Sequence, residues 1–530
     1  MSSAVADTAG EPSPPTHPAA RDEPSLRRNI WANLVGRAWT AAAYVAFVPL
    51  YIHFLGIQAW GLVGLYLALQ TLASLLDLGV TATVNRELAR HIVASPEASA
   101  TRDFVRTLEI AYAGLAVLMA GVTVGVSGYL ARHWVKAHGI PFGTIHGAIA
   151  MMGLVLALQW FFGFYAGGLY GLQRQVLLNG ILVGSTTFRN VGSVFVLWLV
   201  SPSIVAFFAW QAVASALQVL ATRIALWRSL PPGEGERAHF RAAVVRSALS
   251  FALGVSGISI FAVAFTQLDK VLLSRLLSLE NFGYYTLAAG AAAGLYYIVG
   301  PIFQAAFPHL SSLVAAGASR DAALRHRYHE MCQLVSVLTL PASAVALMFA
   351  NPLLVAWTGS RRTAAHADVL LALLVVGTAL NGLMQVPYAL QLAYGWTKLG
   401  LVQNGISAVV LIPLLIVVTG RYGAVGAASV WLALNASYVL IGVQVMHRRL
   451  LRGDLSRWYL VDVGAPLLVA VATAAVARLV YSAAGASQLV AVAWLAVVFL
   501  LASAATVLVT PMTRSRVARR LGLPSALSRA

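Results

Sequence analysis

Cysteine is almost missing: the 530-residue chain has one, Cys332. A disulfide within the chain is excluded, as are metal frameworks built from several thiolates. A lone cysteine in apolar surroundings reads as packing. Charge is nearly as scarce. Only 10% of residues are charged and 59% are hydrophobic, whereas a soluble domain carries about 25% charged residues. One large soluble core is therefore excluded. Acids are rarer than bases, 18 Asp and Glu against 36 Lys and Arg. The Gly-x4-Gly-Lys-Ser/Thr pattern that cradles phosphates does not occur, so no built-in ATPase is indicated. No polar loop is long enough to fold a domain.

What is present is a series of apolar stretches of about 20 residues, the length that crosses a bilayer as a helix. There are fourteen: 30–55, 61–84, 107–130, 145–170, 178–200, 203–222, 248–275, 282–315, 329–353, 368–392, 399–420, 422–446, 461–484 and 486–510. Pro301 and Pro308 are expected to kink the long 282–315 stretch. The fold expected is an all-α polytopic membrane protein.

The net charge of +18 is explained by topology. With the N-terminus inside, cytoplasmic segments hold 26 of the 36 Lys and Arg. The outside loops hold five, Arg132, Lys136, Arg361, Arg362 and Arg421. This skew follows the positive-inside rule, places both termini in the cytoplasm and argues against nucleic acid as a partner. Residues 1–26 are rich in Ala, Ser and Pro and read as a disordered cytoplasmic tail rather than a cleaved signal. Residues 511–530 form a basic cytoplasmic tail beside anionic headgroups.

One stretch is written twice. Residues 157–181 and 379–406 share Ala-Leu, a Tyr (Tyr165, Tyr388), Tyr-Gly (Tyr170-Gly171, Tyr394-Gly395) and Asn-Gly-Ile (Asn179, Asn404), 225 residues apart at Asn-Gly. A weaker pair, LGIQAWGLVGL (55–65) and LSLENFGYYTL (277–287), is offset by 222. Two pairs at nearly one offset mark a duplicated unit, the sign of a two-lobed transporter with its site between the lobes. The duplication divides the chain into an N-lobe (27–222, spans 1–6), a basic Pro/Gly connector (223–247), a C-lobe (248–446, spans 7–12) and an added helix pair (447–510, spans 13–14).

The order of several motifs carries a resemblance. RRNIWANLVGRAW opens span 1, FLGIQAWGLVGLY makes the next turn, LLDLG and NRELAR follow, and TQLDKVLLSRLLSLENFGYY closes span 7. Over about residues 27–450 the chain resembles the polysaccharide transport family, the Wzx-type oligosaccharide flippases of the multidrug/oligosaccharidyl-lipid/polysaccharide exporter superfamily. The resemblance implies two helix bundles in a V around a central cavity. It also implies flipping of a polyprenyl-diphosphate-linked glycan from the inner to the outer leaflet. Spans 13 and 14 are similar to an extra pair that forms a lipid-tail groove in some relatives.

A charge near the bilayer midplane costs at least about 2.5–3.5 kcal/mol, so such residues are candidates for a function or a partner. Arg189 lies mid-span, and its counterpart at the 225 offset is Leu414. Cationic in one lobe and apolar in the other, it is either a cavity arginine for a diphosphate or acidic sugar, or half of a pair with a carboxylate such as Asp77. Arg37 in span 1 either meets a headgroup or snorkels to the interface; the lipid II flippases resemble this in carrying span-1 arginines. Asp77 either pairs with Arg37 or Arg86 as a gate or belongs to a helix-ending Asp-Leu-Gly turn. Asp269 matches an acidic position typical of the family's seventh span, for ion coupling or lobe contact, and adjacent Lys270 points about 100° away. Glu109 reads as interfacial, and Arg478 is expected to snorkel outward or bind lipid. His326 and His329, three apart on a basic segment with Glu330, read as a solvated face rather than a metal site.

Gln70, Gln159, Gln267, Gln304, Gln385, Gln391, Asn381 and Asn404 are candidates to line a sugar cavity with Tyr165, Tyr170, Tyr296, Tyr297, Tyr388 and Trp160. The expected activity is a lipid-linked oligosaccharide flippase of the bacterial inner membrane, serving exopolysaccharide, capsule or O-antigen assembly by alternating access. No cofactor is expected, and a coupling proton or sodium ion is left open. Expected partners are the polyprenyl-diphosphate-linked glycan, membrane lipids and a glycan polymerase or glycosyltransferases. A multidrug exporter of the same superfamily is the first rival, disfavoured because the N-lobe has no midplane acid for cationic drugs. A membrane polymerase or ligase lacks the acidic outside loops it needs, since these hold only Glu280 and Asp368. A non-transporting scaffold is the third alternative.

Overall fold

The computed structural model describes residues 26–77, 79–94, 98–232, 238–246, 270–317, 321–481 and 488–520. The elements in them are helical throughout. The first half comprises α1 (Leu26–Ala73), α2 (Val80–Ala94), α3 (Ala98–Tyr129), α4 (Phe142–Gly171), α5 (Gln175–Leu199) and α6 (Ile204–Ser229). The second half begins with a helical stretch at 270–276, α7. It continues through α8 (Leu279–Ala315), α9 (Asp321–Met348), α10 (Ala350–Thr358), α11 (Arg361–Leu383), α12 (Gln385–Ala393), α13 (Lys398–Ser437) and α14 (Val443–Leu450). The added pair is α15 (Leu455–Arg457) leading into α16 (Ala465–Val480), then α17 (Gln488–Val509), with a tail helix α18 (Pro511–Arg520).

Among the described residues, eleven helices are long and apolar enough to cross a membrane. Two of them are double. α1 breaks at Gly56 (φ 78) and α13 at Gly423 (φ 58), in the left-handed region that glycine enters without steric cost. Thirteen of the fourteen expected crossings are thus described; the seventh, 248–275, lies outside the described residues up to 269. α8 runs through Pro301 and Pro308 without a break.

Two boundaries differ from the sequence reading. The second crossing stops at Ala73, not 84, because Gly79 (φ 77) turns the chain. Asp77 then accepts from the Thr81 amide at 3.2 Å and the Thr81 hydroxyl at 2.6 Å, capping the separate amphipathic α2. The connector also starts later, since α6 runs to Ser229. Its second part lies on α3: the His239 amide donates to Asp103 at 2.6 Å, and Arg241 pairs with the same carboxylate at 2.7 Å.

Packing is unequal along the molecule. At the end holding Gly56 and Gly423, both halves share one buried core, with Trp60, Ile149 and Phe208 from the first and Phe282, Leu370 and Ala427 from the second. At the end holding the described chain termini the cores separate. Leu88, Tyr112, Phe164 and Leu226 form one, and Leu310, Tyr328, Val386 and Trp458 form the other.

The weaker sequence repeat makes the shared end. A Cβ on Gly61 would lie 2.4 Å from the Leu279 carbonyl oxygen, and one on Gly283 would lie 2.2 Å from the Ile57 carbonyl oxygen. Gly61 and Gly283 are repeat equivalents, as are Ile57 and Leu279, so the contact is two-fold symmetric. Gly64 faces its own equivalent, Thr286. Only glycine lets these backbones approach so closely, the usual device of helix contacts in lipid. Hydrogen bonds joining the halves cluster here: Trp357 to the Val45 carbonyl at 2.7 Å, the Leu279 amide to the Lys136 carbonyl at 2.8 Å, and Trp134 to Ser274 at 3.0 Å.

Candidate functional site

Three helical stripes in the second half share one chemistry. On α8, Tyr285, Ala289, Ala292 and Tyr296 follow the spacing of one helix face, with small residues between two aromatics. Across α11 and α12, Thr378, Asn381, Gln385 and Tyr388 do the same. The break between these helices falls where Pro387 has no N–H to offer the Leu383 carbonyl. Gln403 and Asn404 lie in the first turns of α13, and Trp431 and Tyr438 follow beyond Gly423.

These stripes enclose a cavity of about 540 Å³, within the usual range of ligand pockets. Its amides form a network. Asn381 donates to Asn435 at 2.8 Å and accepts from Tyr296 and from Gln385, each at 3.3 Å. Tyr438 donates to Asn404 at 3.1 Å. Tyr388, exposed into the cavity, stacks beside Phe303 with ring centroids 6.1 Å apart. Among the described residues, no carboxylate lines this cavity and one cation does, Lys270.

Lys270 also lines a second cavity of about 240 Å³ between the halves, with Tyr44, Gly64 and Leu67 from α1 and Tyr285, Thr286 and Tyr297 from α8. The two spaces share Lys270, Tyr285, Ala289 and Ala293. The polar cavity is therefore a side chamber of the cleft. On the other side of the Gly61–Gly283 contact lies a polar vestibule of about 600 Å³ lined by His53, His138, Glu280 and Arg362.

The structure sorts the sequence candidates. Asn381, Gln385, Gln391, Asn404, Tyr296 and Tyr388 meet in the polar cavity, and Tyr297 lines the cleft. Tyr165, the repeat counterpart of Tyr388, is fully buried and donates to Glu109 at 2.6 Å. Glu109 is buried between Arg106 at 2.8 Å and Arg223 at 2.7 Å. Among the described residues, Arg189 meets no carboxylate partner. It donates to Gln218 and to Ser215 (3.3 Å), with the Gln159 amide oxygen turned toward it, and lines none of the cavities above.

Asp77 bonds Tyr112 and Thr81 rather than Arg37 or Arg86, while Arg86 bonds Glu87 at 2.6 Å. Arg37 is exposed on α1. Arg478, exposed in the last turn of α16, stands over Tyr481 (5.9 Å) and Phe349 (6.0 Å), as a snorkelling cation does. Asp269 and Gln267 lie outside the described residues.

His329 is no solvated side chain. It is fully buried against Asp462, which also accepts from Gln333 at 2.9 Å, joining α9 to the added helix pair. A buried pair with its second oxygen satisfied is the arrangement that makes such burial tolerable. Sequence reasoning left Lys270, Gln403, Trp431 and Tyr438 out of the site. Their signal was the polar and aromatic spacing on α8, α11 and α12, which needed a partner helix to point at.

A family model described as "Polysaccharide biosynthesis protein" matches residues 26–314. A protein of Shigella flexneri named "Putative O-antigen transporter" is 20% identical over 409 residues, covering 77% of this chain and 94% of that protein. Among solved structures, the lipid II flippase MurJ superposes with a TM-score of 0.62 at 11% identity, covering 93% of this chain and 99% of that one. A multidrug resistance MATE family transporter of the MOP superfamily gives 0.58 at 13% identity, covering 81% and 95%. A MOP superfamily transporter from Pyrococcus furiosus gives 0.55 at 14%, covering 82% and 97%. The architecture is thus the fold of these transporters, and the chain belongs to the polysaccharide biosynthesis protein family.

Proposed function

We propose that this protein moves a polyprenyl-diphosphate-linked oligosaccharide across the bacterial cytoplasmic membrane, for exopolysaccharide, capsule or O-antigen assembly. The observation that carries the reading is the side chamber on α8, α11, α12 and α13, built of amides and aromatic faces with one ammonium at its mouth. Aromatic faces cover the apolar side of a sugar ring, and Asn and Gln offer donors and acceptors to its hydroxyls. Lys270, where chamber meets cleft, supplies a point charge for the diphosphate. A cationic drug finds no acid there among the described residues, which favours a glycan over the multidrug reading. The family and the Shigella relative support the same class.

The mechanism is alternating access. The positive-inside skew puts the end with separate cores in the cytoplasm, so the cleft receives the headgroup from that side while the prenyl tail stays in lipid. Rocking of the lobes closes that end and parts the glycine contact, which opens the cleft to the vestibule. Neither Arg189 nor Arg37 is given a headgroup contact here, because neither lines the cleft, the chamber or the vestibule.

Surface glycan in a host lacking its own flippase tests the reading. At equal protein level, Lys270→Gln lowers export, and Asn381→Ala with Gln385→Ala lowers it about tenfold, as two lost hydrogen bonds of about 0.5–1.5 kcal/mol each require. Unchanged export in both would remove the chamber from the mechanism.

A further inference from the structure

Beyond the cleft, the tail helix builds a second candidate site. α17 ends at Val509, and α18 continues in the same direction along the start of α9. The Met512 amide donates to Gln333 at 3.0 Å. Arg516 pairs with Glu330, which also takes Arg327 at 2.7 Å. Between the two helices opens a cavity of about 520 Å³ lined by His326, Arg327, Glu330, Arg516 and Arg519. Three guanidinium groups there face one carboxylate, and a guanidinium has five N–H donors, more than one carboxylate can take.

The cavity's height selects its ligand. Met512 and Gln333 mark the level at which α17 ends. Glu330 and His326 lie three and seven residues further along α9, about 5–10 Å at 1.5 Å per residue. The polar interfacial layer of a bilayer is roughly 5–8 Å thick on each side. The guanidinium groups therefore stand at the level of lipid phosphates, beside the end of a span.

We propose that this cavity binds the phosphate of an anionic phospholipid, clamping α18 and the added helix pair to α9. Free phosphate shares the chemistry but not the requirement for a place in the headgroup layer.

The test uses the full chain in neutral detergent. Its thermal unfolding is followed while short-chain phosphatidylglycerol, short-chain phosphatidylcholine or inorganic phosphate is added. Phosphatidylglycerol raises the unfolding temperature of the wild type, and the other two do not. In Arg516→Gln/Arg519→Gln the concentration needed rises roughly 30-fold, about fivefold per cation removed at a membrane surface. Arg516→Lys/Arg519→Lys keeps the charge and most of the response, which separates ligand binding from loss of the Arg516–Glu330 pair. An equal response in the Gln variant, or a rise with inorganic phosphate alone, overturns the proposal.

Discussion

Arg189 shows how a membrane protein holds a charge in mid-span with no counter-ion among the described residues. Its Nη2 reaches Gln218 and Ser215 on α6, and the Gln159 side chain on α4 lies alongside. Amide and hydroxyl dipoles thus do for one side of the guanidinium what water would do outside, while its Nε has no partner among the described residues. Arg189→Leu should therefore lower the thermal unfolding temperature in detergent while leaving export per folded molecule above half of wild type. Export falling tenfold at unchanged stability would instead return Arg189 to the substrate path. The position of this residue was legible in the sequence, because a lone cation in an apolar span stands out. Its partners were not, since Ser215 and Gln218 are 26 and 29 residues away and meet it only once α5 packs on α6. The same holds for Tyr165 and Tyr388. The repeat gave them one address, but neighbouring Glu109 sealed one into a core while the break at Pro387 left the other facing a cavity.

At the scale of elements, the repeat was legible and the helix ends were not. Hydropathy runs the second span on to 84 because α2 carries enough apolar residues to extend the stretch, whereas the helix-ending reading of Asp-Leu-Gly at Asp77 matches the observed turn and cap. Nothing in the connector's own composition marks its docking, because its anchor, Asp103, lies on another helix. The repeat's symmetric glycine contact leads to a test of motion. A Cβ on Gly64 would sit 2.9 Å from the Cβ of Thr286, so a small shift brings a cysteine pair there to the 3.5–4.5 Å of a disulfide. The native Cys332 is buried and does not compete. Oxidised Gly64→Cys/Thr286→Cys should stop export, and reduction should restore it. Wild-type export with the bridge fully formed would show that this contact stays closed throughout the cycle.

For the whole molecule, the distribution of buried cores carries the functional reading. One core spans both halves at the glycine end, and two separate cores stand at the other, so the halves are joined where the vestibule lies and parted where the cleft opens. Fourteen stretches, a duplicated unit and a one-sided distribution of charge were enough to place this architecture in outline. The chamber beside the cleft was only half visible, as a scatter of Asn, Gln and Tyr, because convergence of stripes from α8, α11, α12 and α13 is a property of packing. The central claim is that the protein carries a lipid-linked glycan from one leaflet to the other. It is tested most directly in spheroplasts of the source bacterium by asking whether periodate added outside oxidises the lipid-linked glycan. Deleting the gene should leave that glycan protected, the full chain should expose it, and the Lys270→Gln protein should not. Glycan already open to periodate in the deletion strain would contradict the account.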